Sequence, residues 1–159
     1  GGLYQWGEAV QYLNGASNTT SPAPAFSGNV QGVCPVGWHL PTDAEWCTME
    51  NTVEAGTDPS CNIIGWRGTN TGGMLKQTGI SNWTTPNTGA TNSSGFTAIP
   101  AGFSTSGSLS SVGTNGDWWS ASEGSATDAW NRFLGNTEAQ VAHNINDKAF
   151  GTSIRCVKD

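Results

Sequence analysis

Two histidines, His39 and His143, twelve carboxylates and four cysteines are the side chains of this chain that could do acid–base, nucleophilic or metal chemistry. A hydrolase would need a nucleophile beside a base, or two carboxylates set across a substrate. His39 stands between Trp38 and Leu40 and reads as a packed core histidine. His143 stands beside Asn144 in a polar run and reads as a surface contact, not a general base. Asp117, Glu123 and Asp128 lie near the Trp118-Trp119 pair, but no partner set is recognisable around them. They are compatible with a structural calcium ion shared with loop carbonyls, and with nothing more specific. The pattern names no catalytic residue, no cofactor and no dedicated metal site, so the chain is expected not to be an enzyme.

The cysteines, Cys34, Cys47, Cys61 and Cys156, match neither a zinc spacing nor a redox CxxC. Their even number fits two disulfides, and three connectivities are open. The preferred pairs are Cys47–Cys61, closing a short loop past a helix, and Cys34–Cys156, tying an early strand to the C-terminus. Buried free thiols are the competing reading. Disulfides, with abundant Gly, Ser, Thr and Asn, lead to the expectation of a secreted or cell-surface location.

Charged residues make up 11% of the chain, against roughly 25% in an average globular protein. Eight Trp and five Phe exclude a disordered chain. The net charge is −6 and the six Lys and Arg are isolated from one another, so no basic stripe exists to neutralise nucleic-acid phosphates. No apolar run approaches ~18 residues, which excludes direct insertion into a membrane as a helix. The 159 residues form one expected domain, 1–159, and the leading Gly1-Gly2 reads as the edge of a longer polypeptide.

These side chains must be positioned by elements that the spacing suggests. Trp6, Ala9, Val10 and Leu13 recur at helical spacing, which predicts a helix over Trp6 to Asn14 ended by Gly15. Thr42 followed by Glu45 is a capping box and starts a second helix near Asp43, running to Val53 or Glu54. Glu45 is therefore a cap, not a catalytic acid. From Gly56 to Asn115 the chain is rich in small polar residues and shows no long regular element. The runs DWWSASE (117–123), AWNRFLG (129–135), EAQVAHN (138–144) and FGTSIRCVK (150–158) then read as strands of an antiparallel meander. The fold class is α+β: two helices, a small antiparallel sheet and a large loop-rich region. Trp6, Trp38 and Trp46 are assigned to the core, and Arg155 to a structural role.

Leu40 to Trp46 (LPTDAEW) is similar to the LPTEAEW stretch of formylglycine-generating-enzyme-like domains, a branch of the C-type-lectin fold. Gly151 to Val157 (GTSIRCV) resembles their closing strand. Cys34 to Trp46 (CPVGWHLPTDAEW) more closely resembles the signature of the Fibrobacter succinogenes major paralogous domain. So do Gly89 to Phe103, Asp117 to Glu123 and Ser153 to Asp159, four motifs in order along nearly the whole chain. The resemblance implies a C-type-lectin-like fold, with termini joined by the first and last strands and a late sheet whose exposed face and loops bind ligands. It also implies kinship with variable proteins of diversity-generating retroelements. The cysteine pair used by formylglycine-generating enzymes has no counterpart in Val141 to Phe150. Calcium-dependent lectins carry EPN or QPD and a WND strand; here both tripeptides are missing and Trp130-Asn131-Arg132 puts a cation where an oxygen ligand belongs.

The expectation is thus non-enzymatic recognition of a protein or glycan on another cell surface, through the late sheet and its loops from Trp118 to Phe150. The expected contact residues are Trp118, Trp130, Asn131, Arg132, Asn136, Glu138, Gln140, His143, Asn144 and Asn146. Aromatics with Arg and Asn supply anchors and adaptable hydrogen bonds in such patches. Two other readings compete: a structural or adhesive module of a larger surface protein, and a degenerate formylglycine-generating-enzyme relative.

Overall fold

The computed structural model describes residues 2–159. Its elements are α1 (Trp6–Ala9), a 3-10 turn (Leu13–Gly15), β1 (Trp38–His39), α2 (Asp43–Val53), β2 (Gly65–Arg67) and α3 (Thr71–Leu75), then β3 (Phe103–Thr105), β4 (Ser108–Ser110), β5 (Asn115–Glu123), β6 (Asp128–Gly135), β7 (Val141–Asp147) and β8 (Val157–Lys158). The chain is mixed helix and sheet, as expected, but with three short helices and three sheets in place of two helices and one sheet.

The first helix is a single turn. Gln11 takes a left-handed φ of 54°, and the Tyr12 and Gln11 amides donate to the Gly7 and Glu8 carbonyls, 2.9 and 3.0 Å away. That is a Schellman cap built without glycine, and it stops the helix four residues before the apolar spacing does. Helix α2 starts where the capping box places it. Thr42 Oγ1 accepts from the Glu45 amide at 3.2 Å, and Glu45 Oε2 accepts from the Thr42 amide at 2.8 Å. The short α3 lies in the stretch that shows no regular pattern. Its Gly72 presses against the Gln140 carbonyl oxygen, where any Cβ would overlap, so only glycine permits the approach.

The main sheet has the order β2-β7-β6-β5, antiparallel throughout. Residues 117–123 and 129–135 form its strands as expected. The third strand begins at Val141, three residues later than the sequence suggests, and 150–158 is not one strand: Gly151, Thr152 and Ser153 pair through single bridges and only Val157–Lys158 forms β8. Those bridges join Tyr4 to Thr152 and Trp118 to Ser153, so the two ends of the chain meet.

Successive residues of a strand alternate faces, so the register sorts the sheet's side chains. One face carries Trp118, Arg132, His143 and Arg67, with α2 packed over it; a cluster of Trp46, Leu75, Trp83, Trp118, Leu134 and Val141 fills that side. The other carries Trp119, Asn131, Asn144, Phe133 and Trp66, with α1 and a cluster of Trp6, Val10, Leu40, Trp119 and Ala129 covering its β5 half. Both Trp118 and Trp119 are therefore buried, because both faces of β5 are covered. Trp6 and Trp46 are core residues, but Trp38 is 40% exposed. It alternates with buried His39 on a two-residue ribbon whose other face meets solvent.

The disulfides are Cys34–Cys156 and Cys47–Cys61, the preferred pairing. They fit an oxidising compartment. Among the described residues no helix is long and apolar enough to cross a membrane.

Candidate ligand-binding face

The ten residues expected to contact a ligand divide between interior and surface. Arg132 and His143 lie under α2, 1% and 3% exposed, in a chain of ion pairs. Arg132 pairs through Nε with Glu50 and, at 2.6 Å, with Asp43; Arg67 reaches Glu50 at 2.5 Å and Asp58 at 2.7 Å. His143 Nε2 stands 3.0 Å from Asp43, and its ring packs on Trp130 at 4.3 Å between centroids. The cause is helix geometry: Asp43 and Glu50, seven residues apart on α2, project to one face and meet the two guanidiniums beneath. Burial pushes the Asp43 carboxyl up, but His143 and Arg132 beside it outweigh this and hold it below the usual carboxylate range. Burial likewise raises Asp58, and the Ile63 and Asn62 amides with Arg67 bring it down. Apart from Asp43, whose side chain is 21% exposed, this network is buried. Arg132 and His143 therefore leave the contact set, for an alternating polar strand looks solvated only until acids from a distant helix cover it.

Trp118 and Asn131 also leave it. Trp118 is core, and Asn131 is fully buried on the opposite face, donating 3.3 Å to Asp117. Burial pushes the Asp117 carboxyl up to about 7, and its Oδ2 and Asn131 Oδ1 have no hydrogen-bond partner among the described residues. Asn136 donates to the Thr84 and Thr85 carbonyls and Gln140 to the Gly68 carbonyl, so both amides hold loops in place. Glu138 is half-buried, and its carbonyl accepts from the buried Lys76 ammonium at 2.7 Å. The three carboxylates considered for calcium are separately engaged: Asp117 with Asn131, Glu123 with Lys148 at 2.7 Å, and Asp128 with Ser125 and Thr127. No group of three or more His, Cys, Asp or Glu among the described residues could hold a metal ion.

Trp130, Asn144 and Asn146 remain at the surface, each half-buried. Asn144 and Asn146 lie on the face opposite α2, and neither side chain makes a hydrogen bond within the described residues. On that same face the register places Trp66 of β2, Ala142 of β7 and Phe133 of β6 in one row. Trp66 and Phe133 pack at 5.2 Å with planes tilted by 51°, and Trp66 is 40% exposed. An aromatic pair thus adjoins two uncommitted carboxamides on a rigid antiparallel sheet. Trp66 and Phe133 escape the sequence reading. Trp66 sits in a three-residue strand too short for an alternation signal, between Gly65 and Gly68. Phe133 is legible as a strand residue, but its exposure depends on which side of the sheet α2 occupies.

The family model for the Fibrobacter succinogenes major domain matches residues 1–158. No curated protein and no solved structure matches the chain.

Proposed function

The chain belongs to the Fibrobacter succinogenes major domain family, and from that premise we propose that it is a non-enzymatic recognition module of C-type-lectin-like fold, secreted or displayed on a bacterial surface. Its ligand is a protein or glycan on another surface, met by the outer face of the sheet around Trp66, Phe133, Asn144 and Asn146. One observation carries this reading: an aromatic pair and two unspent carboxamides share an open face, while Arg67, Asp117 and Arg132 of the same sheet are drawn into the interior. Flat rings with amide donors and acceptors suit sugar rings and polar peptide surfaces alike. The joined termini and the α2-backed sheet are compatible with the proposed fold. Diversification by a retroelement is part of the same proposal, with β6 and β7 as the segment it would vary.

The test is a binding screen of the whole chain against arrayed glycans and surface proteins, with and without calcium. A variant carrying Trp66→Ala and Asn144→Ala runs beside it. Binding that the variant loses at least tenfold supports the sheet face. Binding that it retains, or no binding at all, moves the structural-module reading ahead.

A further inference from the structure

We propose that Arg155 and the cleft beside it form a second binding site, independent of the sheet face, for a small monocarboxylate with an apolar body. The charge inventory gives the first reason. Of the chain's six Lys and Arg, four are buried: Arg67, Lys76, Arg132 and Lys148. Each of the four is paired with carboxylates or carbonyls, as Lys76 is with the Thr88, Gly135 and Glu138 oxygens. Only Arg155 and Lys158 face solvent, both on the C-terminal segment of a chain whose net charge is −6. Among the described residues no carboxylate pairs with Arg155.

Geometry gives the second. The Arg155 guanidinium lies over Phe96, its carbon 4.3 Å from the ring centroid. Phe96 is in turn held edge-on to Trp118 and tilted against Trp46, each at 5.9 Å. Stacking orients a guanidinium plane while leaving its edge N–H groups free, the fork that a carboxylate accepts bidentately at about 2.8 Å. Beside it opens a cleft of about 340 Å³ walled by Tyr4, Ile99, Trp118, Ile154 and Arg155 itself. That volume is at the small end of the range for small-molecule sites, roughly 300–1,000 Å³. The wall is firm. Ser153 donates to the Asp117 carbonyl at 3.0 Å, and Cys156 is anchored to Cys34.

The ligand class follows from these two features. One fork-shaped cation matches one carboxylate, whereas a phosphate dianion would face a single cation in the field of a negatively charged protein. The exposed flank of Ile99 and half-buried Ile154 favour an alkyl or aryl body over a polyol.

The probe is 3-phenylpropionate, titrated into the whole chain and followed by the NMR shift of the Trp118 indole. Its neutral isostere, 3-phenylpropanamide, is the control. The expected result is saturable binding of the acid, at least tenfold weaker binding of the amide, and at least tenfold loss in Arg155→Gln. Arg155→Lys, which keeps charge without the fork, falls between, and Trp66→Ala binds as the parent does. Equal binding of acid and amide, undiminished binding by Arg155→Gln, or no saturable binding overturns the proposal. Should Arg155→Gln fail to fold, the acid–amide comparison on the unaltered chain decides alone. Because Trp66→Ala is neutral here, failure of this site and failure of the sheet face are distinguishable.

Discussion

Asp117 shows how much one side chain can hold against the fold. The residue is 5% exposed, and its carboxyl accepts a long bond from Asn131 and has one oxygen without a partner among the described residues. Burial raises its folded pKa from 3.8 to about 7. A carboxyl raised in the fold gives stability that is complete below about pH 4 and lost as pH rises through about 7. At about 1.36 kcal/mol per pH unit, ionising it costs the native state on the order of 4 kcal/mol. His39 acts in the same direction. Burial lowers its pKa, but bonds to Glu45 and Asp159 outweigh this and leave it raised. The comparison that isolates Asp117 is therefore with Asp117→Asn. Thermal melts at pH 5 and pH 8 are expected to show the parent less stable at pH 8 and the variant losing most of that difference. Equal pH slopes for parent and variant would contradict the assignment. Sequence shows Asp117 as one acid beside two tryptophans; its burial depends on both faces of β5 being covered.

Helix α2 organises the interior, and its beginning is the most legible local feature of the chain. The Thr42–Glu45 capping box, with Asp43 in the first turn, appears in the structure as the spacing predicts. The partners of its buried acids are not legible in the same way, because Arg67 and Arg132 reach Glu50 from separate strands. Removing Glu50 would leave two buried guanidiniums short of their shared partner. Glu50→Ala is expected to cost about 3–5 kcal/mol in urea unfolding, the range for breaking a buried pair. A loss below about 1 kcal/mol would show that water enters the network. Asp43 and Asp58, both held below the usual carboxylate range, make the fold acid-sensitive: their contribution is present above pH 3.8 and lost as pH falls through their folded values. Denaturant midpoints should therefore drop below about pH 4, and a flat acid limb would contradict this. The strands at 117–123 and 129–135 are readable because short runs carrying aromatic residues are separated by turn residues. Helix α1 reads longer than it is, since its cap is Gln11, a residue that carries no stop signal.

At the scale of the whole molecule, two covalent ties and a bridged pair of termini close a fold of short elements. Cys34–Cys156 spans 122 residues and Cys47–Cys61 spans 14. Loop-closure entropy assigns about 4.9 kcal/mol to the longer tie and about 3 kcal/mol to the shorter. Replacing the first pair by alanines should thus lower the denaturation midpoint more than replacing the second, and the reverse order would show that local strain or residual structure dominates. The cysteine count makes the disulfides legible. Composition could not divide the late sheet into an inner face of ion pairs and an outer face of Trp66, Phe133, Asn144 and Asn146, since alternation marks two faces without saying which one a helix covers. Two tryptophans of equal exposure test that division. Trp66 and Trp38 are each 40% exposed, on different sheets. The measurement is the Kd of the best ligand from the surface screen for Trp66→Ala and for Trp38→Ala. Trp66→Ala is expected to lose at least tenfold in affinity and Trp38→Ala less than twofold; equal losses, or a loss confined to Trp38→Ala, would show that the ligand does not sit on the outer face of the main sheet.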